Sequence, residues 1–158
     1  MQGNASVLED LNQVLKAELV AINQYFLHAE MQANWGYQRL AAHTRKESIG
    51  EMKHAEQLIE RILFLEGGPQ MAGPLALQIG PTVEAQLRND LALELVAVPK
   101  LNEAIQAAVA AGDNGSRELF ESILVDEESH VDFLEAQLTL IEQMGIENYL
   151  AEQMREEA

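Results

Sequence analysis

The chain has 158 residues, and its 10 lysines and arginines against 26 aspartates and glutamates give a formal net charge of −16. This excess of negative charge makes nucleic acids and anionic membrane surfaces poor partners, whereas cations are attracted. Because the chain has no cysteine, disulfides, thiolate metal sites and cysteine nucleophiles are excluded, and any metal ion must be held by oxygen, imidazole or thioether ligands.

The composition predicts one soluble domain. Apolar residues make up 47% of the chain, which is enough to bury a core, and we assign residues 1–158 to a single domain. Residues 1–10 lack the basic stretch and apolar run of a secretory signal, so we expect a cytoplasmic protein. The longest unbroken apolar run, Ala107–Ala111, is much shorter than the roughly 20 residues that a membrane-spanning helix needs.

Helix-breaking residues divide the chain into long helical segments. Three of the 4 prolines and four of the 10 glycines fall between residues 67 and 82, which predicts one long connection there. Ser6 with Glu9 predicts a capping box at the start of the first helix. We therefore predict an all-α fold, a four-helix bundle with a long crossover between its second and third helices and a short fifth helix. The predicted helices span about 6–34, 37–66, 83–111, 116–144 and 146–154.

Each long helix carries a stripe of residues three and four positions apart that should face the bundle axis. Most of these residues are apolar, but near the middle of each helix carboxylates or imidazoles take their place. Tyr25 lies on the first stripe, where we expect it to pack with its hydroxyl bonded to a neighbouring ligand. Glu47 lies on the second stripe, either as an outer contact of the polar cluster or as an exposed residue. His28 and His43 lie off the stripes and are expected at the surface.

The polar stripe residues form an internal repeat. The motif Glu-x-x-His occurs twice, and a lone glutamate stands on the helix before each copy. Every residue of the first set has its equivalent 76 positions later, and both lone glutamates begin the sequence ELVA, which favours an internal duplication of a helical hairpin. The repeat predicts two equivalent half-sites. The six residues are Glu18, Glu51, His54, Glu94, Glu127 and His130.

A buried cluster of four carboxylates requires a cation. Burying one unpaired carboxylate is prohibitively costly, and the predicted stripes contain no lysine or arginine to pair with them. Four glutamates balance two divalent ions, and a glutamate and histidine three residues apart can bind the same ion. A single Glu-x-x-His is usually a solvated pair, but this doubled set is typical of di-iron and di-manganese bundles. Ligand chemistry alone leaves iron, manganese and zinc open.

The chain resembles bacterioferritin, the haem-containing branch of the ferritins. The resemblance runs nearly end to end and is carried by LNQVLKAELVAINQYFLH (11–28), ESIGEMKHAEQLIERILFLEG (47–67), DEESH (126–130) and MGIENYL (144–150). It implies a ferritin-like fold and a hollow shell of twenty-four subunits. It also implies that the six repeat residues are the ligands of a di-iron ferroxidase centre.

The resemblance gives Met52 a role. Met52 lies with Ile49, Ile59 and Leu63 on a second stripe of the second helix, turned away from the polar cluster, which suggests burial against another subunit. From the residues alone, Met52 is expected only to fill that interface. The resemblance implies instead that it is an axial ligand of a haem b shared by two subunits across a twofold axis.

The function implied is the storage and detoxification of iron. Fe(II) would be oxidised by O₂ or hydrogen peroxide, the ferric product stored as mineral, and the iron released with the help of haem. A ferredoxin and a second type of subunit are further partners that the resemblance suggests. The rivals are a haem-bridged structural or electron-transfer dimer without working iron, and a ferritin-like DNA protector. The latter would use another ligand arrangement and a basic extension, which this sequence lacks.

Overall fold

The computed structural model describes residues 1–156, and its secondary structure consists of five helices. The bounds of the four long helices differ from the predicted ones by no more than two residues. The capping box was wrong, because the first helix begins one residue earlier and its N-cap is Asn4, whose Oδ1 accepts hydrogen bonds from the Ser6 and Val7 amides at 2.9 and 3.2 Å. The helices are α1 (Ala5–Asn34), α2 (Gln38–Phe64), α3 (Val83–Ala110), α4 (Asn114–Met144) and α5 (Ile146–Gln153).

Two helical hairpins, α1 with α2 and α3 with α4, pack against each other to form a four-helix bundle. All the predicted axis-facing positions are buried or half-buried. The apolar core falls into two clusters, one around Leu11, Ile62 and Phe120 and the other around Leu87 and Tyr149. The polar residues of the repeat lie between these clusters, so apolar packing on both sides holds the four helices in place around them. No helix within residues 1–156 combines the length and apolarity needed to cross a membrane.

The crossover between α2 and α3 is tied to α1 along its length. The Lys16 ammonium donates to the Ala72 carbonyl at 2.8 Å, and the Gln78 amide donates to Gln24 Oε1 at 3.0 Å. The Gly80 amide donates to Nε2 of His28 at 3.0 Å. Of these bonds, the one to Gly80 is buried, and it satisfies an amide that would otherwise lack a partner.

The prediction that His28 lies at the surface was wrong, since the residue is fully buried. Its Nε2 accepts from Gly80, so its Nδ1 carries the proton and donates to Asp90 Oδ1 at 2.9 Å. The crossover and α3 cover the face of α1 that helical periodicity alone leaves open. His43 is half-buried rather than exposed, with its ring stacked on Phe133 at a centroid distance of 3.7 Å.

We expect Gly80→Ala to lower the free energy of unfolding by about 1–3 kcal/mol, because the added Cβ would overpack this junction. A Cβ at Gly80 would lie 2.5 Å from the Gln86 amide nitrogen, which is backbone and cannot rotate away. Gly68→Ala is the matched control, since a Cβ there meets nothing within 4 Å. Urea denaturation of both variants measures the difference, and equal midpoints would contradict the expected clash.

Candidate metal centre

All six residues of the repeat converge at one level of the bundle. α1 supplies Glu18, α3 supplies Glu94, and α2 and α4 supply one Glu-x-x-His pair each. Every one of the six is buried except His130, whose side chain is 13% exposed. Nearly all of this polar surface is therefore withdrawn from water, although every residue in it can carry a charge.

The first half-site is centred on His54. Its Nδ1 lies 3.1 Å from Glu51 Oε2, 3.3 Å from Glu127 Oε1 and 3.6 Å from Glu18 Oε2. The carboxylates come from three different helices, α2, α4 and α1. One imidazole N–H cannot donate good hydrogen bonds to three carboxylates at once. The four donor atoms, one from each residue, are close enough together to surround a single metal ion.

The second half-site repeats this arrangement around His130. Its Nδ1 lies 3.0 Å from Glu51 Oε1, 3.1 Å from Glu127 Oε2 and 3.3 Å from Glu94 Oε1. Glu51 and Glu127 each turn one oxygen to each half-site, whereas Glu18 and Glu94 serve one half-site only. In each group of four, the donor atoms lie within 4.8 Å of one another.

Burial and mutual contact shift the acid–base properties of these groups. Burial, with the neighbouring Glu51 carboxylate, raises the pKa of Glu18 well above its ordinary value. Burial raises the pKa of Glu94 to about 8, despite the opposing effect of the His130 hydrogen bond. Burial would also raise the pKa of Glu51, but hydrogen bonds from Glu18, His130 and His54 lower it to about 2.

The two imidazoles hold protons firmly. Burial disfavours the charged form of His54, but hydrogen bonds with Glu127, Glu18 and Glu51 raise its pKa far above the ordinary value. The pKa of His130 is raised in the same way against its burial, first by Glu127. Without metal, the cluster is therefore neutralised internally by imidazolium ions and by protonated carboxyl groups.

The donor set fits multivalent cations. Three buried carboxylate oxygens, Glu18 Oε2, Glu51 Oε1 and Glu127 Oε1, receive no well-aligned hydrogen bond and instead lie at ion-pair distance from the imidazoles. Leaving a buried carboxylate oxygen without a partner destabilises the fold by several times the free energy that one neutral hydrogen bond contributes. A metal ion on each group would bind these oxygens, and the oxygen and imidazole donors suit iron, manganese or zinc.

Outer contacts orient the two imidazoles differently. Nε2 of His54 lies 2.7 Å from Asp126 Oδ2, whereas Nε2 of His130 contacts Glu47 Oε2. Glu47 is therefore an outer contact of the polar cluster, the first of the two interpretations of its position on the stripe. Asp126 was not anticipated from the sequence, because its equivalent 76 positions earlier is Gly50 and the repeat gives no signal. Its position directly before Glu127 was the only available hint.

Tyr25 packs against the cluster from α1, beside Glu94 of α3. The side chain is buried and its hydroxyl donates a short hydrogen bond to Glu94 Oε1. Burial, and then the charge of Glu94, raise the pKa of the hydroxyl well above its usual range. Tyr25 therefore stays protonated and fixes one oxygen of Glu94.

Met52 lies on the opposite face of α2 from Glu51 and His54. Its side chain is 54% exposed, and the exposed side chains of Ile49 and Leu63 flank it on the same helix. Exposed apolar side chains on one helix face suit an interaction surface. The thioether contacts no part of the polar cluster.

The bundle and its cluster define the class of protein to which the chain is similar. Residues 8–144 match the sequence profile of the ferritin-like domain. The chain is 47% identical over 152 residues to the bacterioferritin of Mycobacterium avium, with 96% of each chain covered. It is 46% identical to the bacterioferritin of Streptomyces coelicolor, covering 96% of this chain and 90% of the relative, and 45% identical to that of Brucella melitensis, covering 94% and 92%. The chain belongs to the bacterioferritin family.

Proposed function

We propose that the chain is the subunit of an iron-storing ferroxidase that oxidises Fe(II) and stores the ferric product inside a hollow shell of twenty-four subunits. Membership of the bacterioferritin family supports the storage of iron. The observation that carries the ferroxidase proposal is the sharing of Glu51 and Glu127 between two groups of four donors. Two substrate ions held side by side can pass two electrons to one oxidant molecule.

Each half-site would bind one Fe(II) substrate ion. Glu51 and Glu127 would bridge the two ions, while Glu18 with His54 and Glu94 with His130 would complete one half-site each. Four carboxylates neutralise two divalent ions, and four donors for each ion leave coordination positions free for the oxidant. Two Fe(II) ions lose two electrons in total, which with two protons reduce O₂ to hydrogen peroxide or hydrogen peroxide to water.

The outer residues keep the donors aimed at the substrate. Asp126 and Glu47 each contact the Nε2 of one imidazole, which leaves the Nδ1 directed into the cluster. Tyr25 donates to Glu94 and holds the orientation of that carboxylate. These residues support the ligands without themselves binding the metal.

Haem binding is the second part of the proposal. Met52 would hold a haem b through its thioether, together with Met52 of a second copy, since the soft sulfur and the exposed apolar side chains nearby suit a haem. Bound haem supplies a one-electron carrier for the release of stored iron. A ferredoxin is the reductant we expect. A second type of subunit would join the shell only by offering the same apolar face.

Stopped-flow oxidation of Fe(II) by O₂ tests the proposal. Glu18→Ala and His130→Ala should each abolish the rapid phase, since each removes a donor of one half-site. Glu142→Ala, an exposed glutamate on α4, is the matched control and should leave the rate unchanged. Rapid oxidation in either ligand variant would refute the assignment. Slow oxygen consumption by the unaltered protein would favour a haem-bridged dimer without working iron.

We expect the affinity of the centre for Co²⁺ to fall as the pH is lowered from 8 to 6. Co²⁺ serves here as a divalent probe that, unlike Fe(II), is not oxidised during the measurement. The metal must displace protons from His54, His130 and Glu94, whose pKa values are raised, and lower pH opposes that displacement. Proton release measured in weakly buffered solution during the titration should exceed one proton per chain. A pH-independent affinity would contradict the internal neutralisation described above.

A further inference from the structure

A cleft between α1 and α3 leads from the surface to the metal centre. It has a volume of about 320 Å³, and Glu18, Glu94 and Glu127 form its floor. The two imidazoles and the outer carboxylates that contact them, Asp126 and Glu47, lie on the other side of the centre, on α2 and α4. None of the residues that line the cleft above its floor takes part in the function proposed above.

The two walls of the cleft, one on α1 and one on α3, are formed by equivalent residues of the repeat. Ala17, Val20 and Ala21 of α1 are equivalent, 76 positions on, to Leu93, Val96 and Ala97 of α3, and all six line the cleft. All six are apolar, and three of them are alanines, whose small side chains leave the gap between the two helices. The wall offers no oxygen atom of a side chain between the rim and the floor.

The rim of the cleft is basic. Lys16 and Lys100 lie there with Gln13, although the chain as a whole carries a net charge of −16. The Lys16 ammonium is fixed by its bond to the Ala72 carbonyl. The only carboxylates that line the cleft, among residues 1–156, are those of the three ligands on its floor.

This chemistry disfavours the passage of Fe(II). Routes for cations are lined by carboxylates or carbonyl oxygens that replace the water around the ion, and basic side chains favour anions instead. A hydrated Fe(II) ion would have to pass two ammonium groups and then lose water against alkyl side chains. Small uncharged molecules meet neither obstacle, and an apolar gas is favoured by an apolar wall.

We propose that the α1–α3 cleft is the access route of dioxygen to the metal centre and that Fe(II) reaches the centre by another route. The proposal rests on the ferroxidase function proposed above. It assigns the two substrates of one reaction to different sides of the bundle, so that the oxidant reaches ions already bound on the floor of the cleft.

Filling the cleft tests the proposal. The double variant Ala17→Leu/Ala97→Leu places two larger side chains in the cleft. Leucine already occurs at position 93, the equivalent of Ala17 in the repeat. Two rates are measured by stopped flow, the anaerobic binding of Co²⁺ and the oxidation by O₂ of protein preloaded anaerobically with Fe(II). Ala110→Leu, at an exposed alanine of α3 outside the cleft, is the control.

The filled variant should bind Co²⁺ at the rate of the unaltered protein but oxidise preloaded Fe(II) at least about tenfold more slowly, a barrier increase of about 1.4 kcal/mol. Unchanged oxidation would overturn the proposal, and so would slower Co²⁺ binding, whether alone or together with slower oxidation. If the double variant does not fold, Ala97→Val is measured in the same way. Failure of the proposed function would show instead in the unaltered protein, as slow oxidation of preloaded Fe(II).

Discussion

Replacing Glu51 with glutamine is expected to abolish the binding of a second metal ion and to slow Fe(II) oxidation by about a hundredfold or more, the scale seen when a preorganised electrostatic contact is lost. Glu51 directs one oxygen to each half-site, so the amide removes one negative charge and one oxygen donor from the pair. Co²⁺ titration followed by absorbance gives the stoichiometry, and stopped-flow mixing with Fe(II) and O₂ gives the rate.

Glu18→Gln is the comparison variant, because Glu18 serves a single half-site whereas Glu51 is shared by both. It should retain one full-affinity Co²⁺ per chain, because the group around His130 remains intact. Glu56→Gln, at an exposed position of α2, controls for the loss of a charge on that helix and should behave as the unaltered protein. Two full-affinity Co²⁺ ions in Glu51→Gln would show that Glu51 does not bridge.

Replacing Met52 with leucine is expected to remove haem from the purified protein while leaving Fe(II) oxidation unchanged. Leucine keeps the volume and the apolar character of the exposed face but cannot bind haem iron. Met52 is 54% exposed, whereas its neighbour Glu51 is fully buried, so the two side chains act on opposite faces of α2. The Soret absorbance per chain and the stopped-flow rate measure the two effects separately.

Met71→Leu is the control for this variant, because Met71 is exposed to a similar degree, 57%, but lies in the crossover. It should retain the haem content of the unaltered protein. Undiminished haem in Met52→Leu would refute the ligand assignment. Loss of haem and oxidation together would mean instead that haem binding supports the fold of the subunit.

The bundle could be predicted from the sequence because its signals are local and periodic. Breakers concentrated between residues 67 and 82 marked the crossover, and residues three and four positions apart marked the faces that are buried in the structure. The spacing of 76 residues identified the six side chains that form the two groups of four donors, because a repeated hairpin must bring equivalent positions to equivalent levels. How the carboxylates divide between the half-sites required the structure.

The features that were missed depend on packing between distant segments. His28 lies on a face of α1 that is solvent-exposed in an isolated helix, and it is buried only because Gly80 and Asp90 are brought against it. Asp126 contacts His54 across 72 positions of sequence and has no counterpart in the repeat. The first cap was misplaced by a smaller effect, since Asn4 and Ser6 are both good N-cap residues and local sequence does not decide between them.

The unlike outer partners of the two histidines make the two half-sites chemically distinguishable. His54 is oriented by an aspartate whose side chain is 59% exposed, and His130 by the more enclosed Glu47. Two ions bound there should therefore differ in affinity and in exchange rate, so that a zinc ion trapped in one position can sit beside an iron ion in the other. Such a heterobimetallic subunit would be catalytically silent yet fully metallated, and stepwise Zn²⁺ displacement of bound Co²⁺ would reveal it.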